Sequence, residues 1–301
     1  MKKGFLYSLL TALLFVTLEP VSKLIAGDIS PFAITFWRFA IGSLILLPFA
    51  ASKIKKGGLK LTKKDLITCT LLGILFICIS MVALQVAVKE SANPSLIAII
   101  FSSNSVFTLL FAVLLCKEKI TKNKFLALIF CVTGLLFCVS LKGGAELFSV
   151  ALSLFASLSF SLYTALSQKF MTRLGGAVQA CFVFLLGSGV LFLVLLCTGA
   201  DLIPTFNVKS ISILCYLGLL VTGVGYYAYF KAIERGGAIM GSLAFFIKPV
   251  LTPFIALIVN GTPLKWNVFA AVFFVMIGSL FAILEKRNNS VRKEETNEKL
   301  S

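Results

Sequence analysis

Ten apolar stretches follow one another along this chain, each about 20 residues long and each closed by a short polar island. They run over residues 5–26, 31–51, 66–88, 93–115, 124–141, 147–168, 177–198, 210–233, 237–259 and 264–284. Apolar residues occupy every face of these stretches, as in a helix surrounded by hydrocarbon. An α-helix rises about 1.5 Å per residue, so each stretch covers the roughly 30 Å of a bilayer core. The breaks are written in helix-stopping or polar residues: Gly27-Asp28, Lys55-Lys56-Gly57-Gly58, Asn93-Pro94, Gly143-Gly144, Gly175-Gly176, Gly236-Gly237 and Asn260-Gly261. The expectation is an all-α integral membrane protein of ten transmembrane helices. Residues 285–301 are polar and charged and are predicted to form a disordered cytoplasmic tail.

Composition agrees with the pattern: 59% of the 301 residues are hydrophobic and 13% charged, against roughly 45–50% apolar in soluble domains. A net charge of +16 would suggest nucleic acid if the basic residues shared one polar surface. They do not. Of the 28 lysines and arginines, 21 fall in the N-terminus, alternate loops and the tail, and only Lys89, Lys142, Lys209 and Lys265 fall in the other set. The positive-inside rule then predicts a plasma-membrane protein with both termini in the cytoplasm and no nucleic-acid partner. Met1-Lys2-Lys3-Gly4 resembles the start of a signal peptide, but the run from Phe5 to Ala26 is too long for one and lacks a cleavage site. It reads as the first membrane helix. The eight cysteines form no C-x-x-C pair and no histidine exists to complete a zinc site, so neither metal nor cofactor is expected.

Adding 145 to a residue number often lands on a match. Phe15 meets Phe160, Ser22 meets Ser167, Gly42-Ser43 meets Gly187-Ser188, and Leu72-Gly73 meets Leu217-Gly218. Ala83, Ala87 and Phe101 meet Ala228, Ala232 and Phe246, and a one-residue slip brings Gly134 opposite Gly278. Paired glycines at a constant offset indicate duplication, with repeats at 5–141 and 147–284. Five helices per repeat is an odd number, so the second copy is expected upside down relative to the first. Inverted repeats are a common plan of secondary transporters, with the binding site near the midplane between halves.

At this point the chain resembles the drug/metabolite transporter superfamily, and within it the EamA-type ten-helix transporters. The resemblance rests on Phe36-Trp37-Arg38-Phe39 with Gly42, and on Tyr226-Tyr227-Ala228-Tyr229-Phe230-Lys231-Ala232-Ile233-Glu234. It continues through Lys248-Pro249-Val250-Leu251-Thr252-Pro253 and Gly278, and covers nearly the whole chain. It implies export or exchange of amino acids, other metabolites or drugs, around a cavity lined by helices 1, 3, 4, 6, 8 and 9.

Charges at bilayer depth are costly unless paired or hydrated, and read as functional by default. Four stand inside the spans: Glu19, Lys23, Arg38 and Lys248. Glu19 is the lone acid among them, with Pro20 after it and Lys23 one turn on. Burial favours the neutral form of a carboxyl, so Glu19 is either a protonatable coupling site or half of an ion pair with Lys23 or Arg38. Lys248 sits in mid-span ahead of Pro249 and one turn before Thr252, which makes it the leading binding candidate. Its counterpart by the offset is Ser103, beside Asn104. Arg38 and Lys23 read as structural or gating charges.

Ser153, Ser157, Ser161, Thr164 and Gln168 recur at helical spacing on one face, and Glu19 maps onto Thr164 by the offset. Asn104, Thr108, Thr222 and Tyr226 add polar groups on helices 4 and 8. Such a stripe lines a cavity or packs helix on helix; lining a cavity is the preferred expectation. The four charges sum to +2, which favours substrates bearing carboxylate or phosphate. A proton-coupled multidrug or cation antiporter working through Glu19 is the alternative, and a membrane sensor that binds without transport is the other. The inventory argues against an enzyme: no histidine is present for a Ser–His pair, and one acid cannot form a carboxylate dyad. No phosphate-binding G-x-x-x-x-G-K-[ST] loop exists for ATP. The expected partners are a small-molecule substrate and the lipid bilayer, with a proton as candidate coupling ion; nothing separates monomer from homodimer.

Overall fold

A computed structural model describes residues 2–57, 59–116, 120–138, 144–199 and 207–298. These residues are helical with no strand among them, and nine helices are long and apolar enough to cross a membrane. The tenth expected span, 124–141, corresponds to α8 (Lys122–Cys138), whose expected end lies outside the described residues. Lys142 and the start of the 117–124 loop lie outside them too. Large apolar side chains point outward around the molecule, among them Leu44, Ile67, Leu193, Ile258 and Phe273. Water would penalise that surface and lipid does not.

Several spans are interrupted. The first consists of α1 (Lys2–Phe15) and α2 (Leu18–Lys23), broken at Val16–Thr17. Pro20 has no N–H to offer the carbonyl four residues back, and the restart at Leu18 puts it in a first turn, where that loss is tolerated. The second is α3 (Pro31–Gly57). The third joins α4 (Lys63–Gly73) to α5 (Val82–Glu90) through a π-helical stretch, Ile74–Met81. The fourth is split at Ser103 into α6 (Pro94–Ser102) and α7 (Asn104–Cys116). After α8 come α9 (Gly144–Leu174), α10 (Gly176–Thr198) and α11 (Val208–Cys215), the last followed by a second π-helical stretch, Tyr216–Val224.

Two expected boundaries are corrected. The Gly236-Gly237 break leaves no gap in the helix, because α12 runs from Gly225 to Asn260 as one helical stretch, although the membrane spans within it end at Arg235 and resume at Leu243. It doubles back on itself all the same: a Cβ on Gly241 would stand 2.7 Å from Ile233 Cγ1, and the Tyr229 and Phe245 rings are 5.8 Å apart. A straight helix would separate positions eight residues apart by about 12 Å. The disordered tail is the second correction, because α13 (Trp266–Glu298) remains helical far beyond residue 284. Extending an existing helix through Lys, Arg and Glu avoids the cost of nucleating one. Glu285 marks the passage, accepting from Thr121 Oγ1 at 2.7 Å with Lys124 Nζ 3.9 Å away.

The paired glycines stand where spans cross most closely. In the third and seventh spans, a Cβ on Gly73 would lie 2.8 Å from the Gly187 Cα. Their counterparts at the offset of 145 meet the eighth and second spans. A Cβ on Gly218 would lie 2.7 Å from Ile41 Cβ, and one on Gly42 2.7 Å from Thr222 Cγ2. Gly134 and Gly278 bring α8 against α13 in the same way. Only a hydrogen fits at such contacts, which let helix backbones approach in lipid. The offset of 145, with its one-residue slip at Gly134 and Gly278, therefore relates both the residues and the crossings, and each crossing joins one repeat to the other.

Candidate functional site

The restart of the first span sets Glu19 in the first turn of α2, facing inward and fully buried. From α12, Lys248 reaches it: Nζ donates to Glu19 Oε1 at 2.6 Å, with side-chain exposures of 2% and 0%. The ammonium also lies 5.2 Å from the Phe101 ring centroid, on the fourth span just before its break at Ser103. Glu19 Oε2 has no hydrogen-bond partner. Three interrupted or proline-bearing segments thus converge on one charge pair. Pro249 and Pro253 remove two N–H donors from α12, and Thr252 Oγ1 donates to the Lys248 carbonyl at 2.8 Å. Sequence placed Glu19 and Lys248 separately, and proposed Lys23 or Arg38 as the glutamate's partner. The observed partner is Lys248, 229 residues away.

Lys23 lies at the edge, donating to the Lys89 carbonyl at 2.6 Å, where it ties the end of α2 to the end of α5. Nearby, Gln85 Nε2 donates to Ser22 Oγ at 3.2 Å and Asn260 Nδ2 to the Pro20 carbonyl at 3.0 Å. At the other end of the bundle, Glu234 joins Lys53 (2.7 Å) and Lys231 (2.8 Å), and Asp65 pairs with Arg173. The central charges are sealed between these two sets of ties.

Arg38 is 1% exposed. Its Cζ lies 4.7 Å from the Phe39 ring centroid and Nη2 donates to Met81 Sδ at 3.4 Å, while Nε and Nη1 have no partner. Glu19 and Tyr226 lie within electrostatic range of it. With Lys23 at the edge, the central charges are Glu19, Arg38 and Lys248, with a sum of +1. Tyr226 belongs to a buried ring cluster, its centroid 5.0 Å from Phe15 and from Phe184 and 6.1 Å from Phe76. Phe76 stacks on Tyr163 at 4.5 Å.

The polar stripe of the sixth span forms a seam with the fourth. Ser153 donates to the Ile97 carbonyl (3.1 Å), Ser157 to Phe101 (3.3 Å) and Ser161 to Asn104 (2.9 Å), and Ser157 also meets Ser103 Oγ at 3.1 Å. Asn104 Nδ2 donates to Phe101 O, Thr108 Oγ1 to Asn104 O, and Thr164 Oγ1 to Phe160 O. In this conformation Ser153, Ser157 and Ser161 knit the two spans together, while Asn104, Thr108 and Thr164 bond carbonyls of their own spans; the sequence expectation preferred a cavity wall. Gln85 had no part in the sequence expectations, and Phe101 and Ser22 figured there only as repeat matches, since a phenylalanine beside a charge looks like any lipid-facing one. Among the described residues no three metal-ligating side chains gather.

Comparison with known proteins places the chain. The profile of the EamA-like transporter family matches twice, at residues 2–140 and 147–284. An uncharacterized transporter of Clostridium kluyveri is 35% identical over 97% of this chain and 97% of its own length. Two more distant relatives carry the same description. One from Archaeoglobus fulgidus is 24% identical over 86% of this chain and 90% of its own, and YyaM of Bacillus subtilis is 26% identical over 88% and 86%. A solved crystal structure superposes with a TM-score of 0.67 at 16% identity, covering 95% of this chain and 97% of its own, which shows the shared fold.

Proposed function

The chain belongs to the EamA-like transporter family, and from that premise we propose that it carries a small metabolite across the plasma membrane by alternating access. The cargo is an amino acid or an organic anion, which leaves the cell or exchanges for another. The two matched repeats act as inverted halves around a central site, with both termini in the cytoplasm. The observation that carries this reading is the buried pair of Glu19 from the first repeat with Lys248 from the second. A charge pair across the repeat interface holds the halves together when empty. It must loosen when they rock apart, so a ligand that competes for Lys248 couples binding to movement. The central charge of +1 supports an anionic group on the cargo.

The test is counterflow in liposomes containing the purified chain, loaded in turn with amino acids and organic acids. Lys248→Met should abolish exchange while the protein stays monodisperse. Exchange at wild-type rates in that variant overturns the site, and binding without exchange in the wild type favours a sensor. A second reading rests on Glu19 Oε2, which is buried and has no hydrogen-bond partner. In that case the chain is a proton-coupled antiporter for drugs or cations, and Glu19→Gln stops transport driven by a pH gradient while cargo binding persists.

A further inference from the structure

Arg38 offers what no neighbour uses. A guanidinium carries five N–H donors in a planar fork and does not shed its charge in a protein. Here the fork is buried on the second span. Nε and Nη1 meet no acceptor and Nη2 meets only the thioether of Met81, a weak one. The Phe39 face covers part of the charge, and the carboxylate in electrostatic range among the described residues, Glu19, is engaged through Oε1 by Lys248. A permanent cation inside a membrane protein pairs, or faces a place where something pairs with it. A second unsatisfied group lies against the same helix one turn along. Thr222 Oγ1 is buried without a partner, and its Cγ2 lies 2.7 Å from where a Cβ on Gly42 would be, one helical turn beyond Arg38. By contrast, the hydroxyls of Thr35, Thr108 and Thr252 each bond a carbonyl of their own helix.

We infer that Arg38 is the receptor for a carboxylate of the transported molecule, with Thr222 as a second hydrogen-bonding group. The local charge selects the class. Glu19, Arg38 and Lys248 leave +1, which one carboxylate neutralises, whereas a dianionic phosphate would leave the buried site negative. Planar carboxylate oxygens also match the fork in a way that a compact ammonium does not need. The assignment rests on the carrier reading above for its place in a transport cycle, but binding can be tested without flux.

The experiment is thermal unfolding of the detergent-purified full chain with three sets of probes. These are C2–C6 monocarboxylates, the twenty common L-amino acids, and inorganic phosphate. Every carboxylate that binds is compared with its primary amide. At least one carboxylate should raise the unfolding midpoint and its amide should not. The set it comes from tells whether the cargo is an anion or a zwitterion. Arg38→Gln should weaken that probe at least tenfold and lower the midpoint of the ligand-free protein only slightly, because the guanidinium gives up only a weak thioether bond and the Phe39 face. Arg38→Lys, which keeps charge and loses the fork, should weaken it several-fold and carries the test if the glutamine variant aggregates. The inference is overturned if no carboxylate moves the wild type, if phosphate alone does, or if either variant binds the probe as the wild type does. Counterflow of the same probe separates the two proposals. Arg38-dependent binding without exchange sinks the carrier reading alone, and exchange untouched by Arg38→Gln sinks this one alone.

Discussion

Removing one member of the Glu19–Lys248 pair leaves its partner charged in a place without water. At an effective dielectric of about 20, unit charges at the observed 2.6 Å attract by about 6 kcal/mol. The cost of stripping both groups of water offsets much of that, so the intact pair contributes little net stability. Breaking it is another matter. Lys248→Met or Glu19→Gln alone should each cost about 3–5 kcal/mol, the usual penalty for an orphaned buried charge. The double variant keeps only one buried amide to desolvate and should cost about 1–3 kcal/mol. The two substitutions therefore interact strongly, and the double variant is more stable than either single one. Equilibrium unfolding in mixed SDS micelles measures all four proteins. The same cycle on Lys53 and Glu234, whose side chains are 46% and 31% exposed, provides the contrast. Their coupling should stay below about 1 kcal/mol and fade with added salt, while the buried pair stays indifferent to salt. Single variants that lose under 1 kcal/mol, or losses that simply add, would refute the structural placement of the pair.

Two further outcomes follow from the packing and the charge distribution. Gly73→Ala should destabilise the protein by about 1–3 kcal/mol, since its methyl group would press on the Gly187 backbone and no side chain can yield. Gly189→Ala in the same helix pair, with nothing within 4 Å, should stay within about 0.5 kcal/mol of wild type in the same assay. Single cysteines introduced at positions 60 and 209 of a cysteine-free chain should label from opposite sides of intact cells. Impermeant reagent should reach only 209, and external labelling at 60 would reverse the proposed orientation.

Much of the fold was legible because its main determinant is length. A run of 20 apolar residues has few alternatives, and glycines at a fixed offset read as a duplication, though nothing in the sequence showed that they stand at the close crossings. Glu19 and Lys248 stood out as charges for the same reason. Their pairing did not, because a one-dimensional offset relates Lys248 to Ser103 and says nothing about which helices of different repeats touch. Seam and cavity both require serines on one face of the sixth span, so Ser157 and Ser161 could not be assigned from spacing. The π-helical stretch Ile74–Met81 contains neither proline nor glycine and gave no local sign. Arg38 read as structural because its depth was apparent and its lack of an acceptor was not.

The separation of the central pair along the chain has a consequence for synthesis. Glu19 enters the bilayer 229 residues before Lys248 exists, an interval of about 10–45 s at translation rates of about 5–20 residues per second. Throughout it the nascent carboxyl has no cation from its eventual partner helix, and hydrocarbon admits an acid far more readily in its neutral form. The first repeat is therefore inserted with its central acid unmatched, and only the arrival of the ninth span supplies the cation. Assembly of the two halves thus completes a charge pair, and a chain interrupted before the ninth span is left with an acid whose partner was never made.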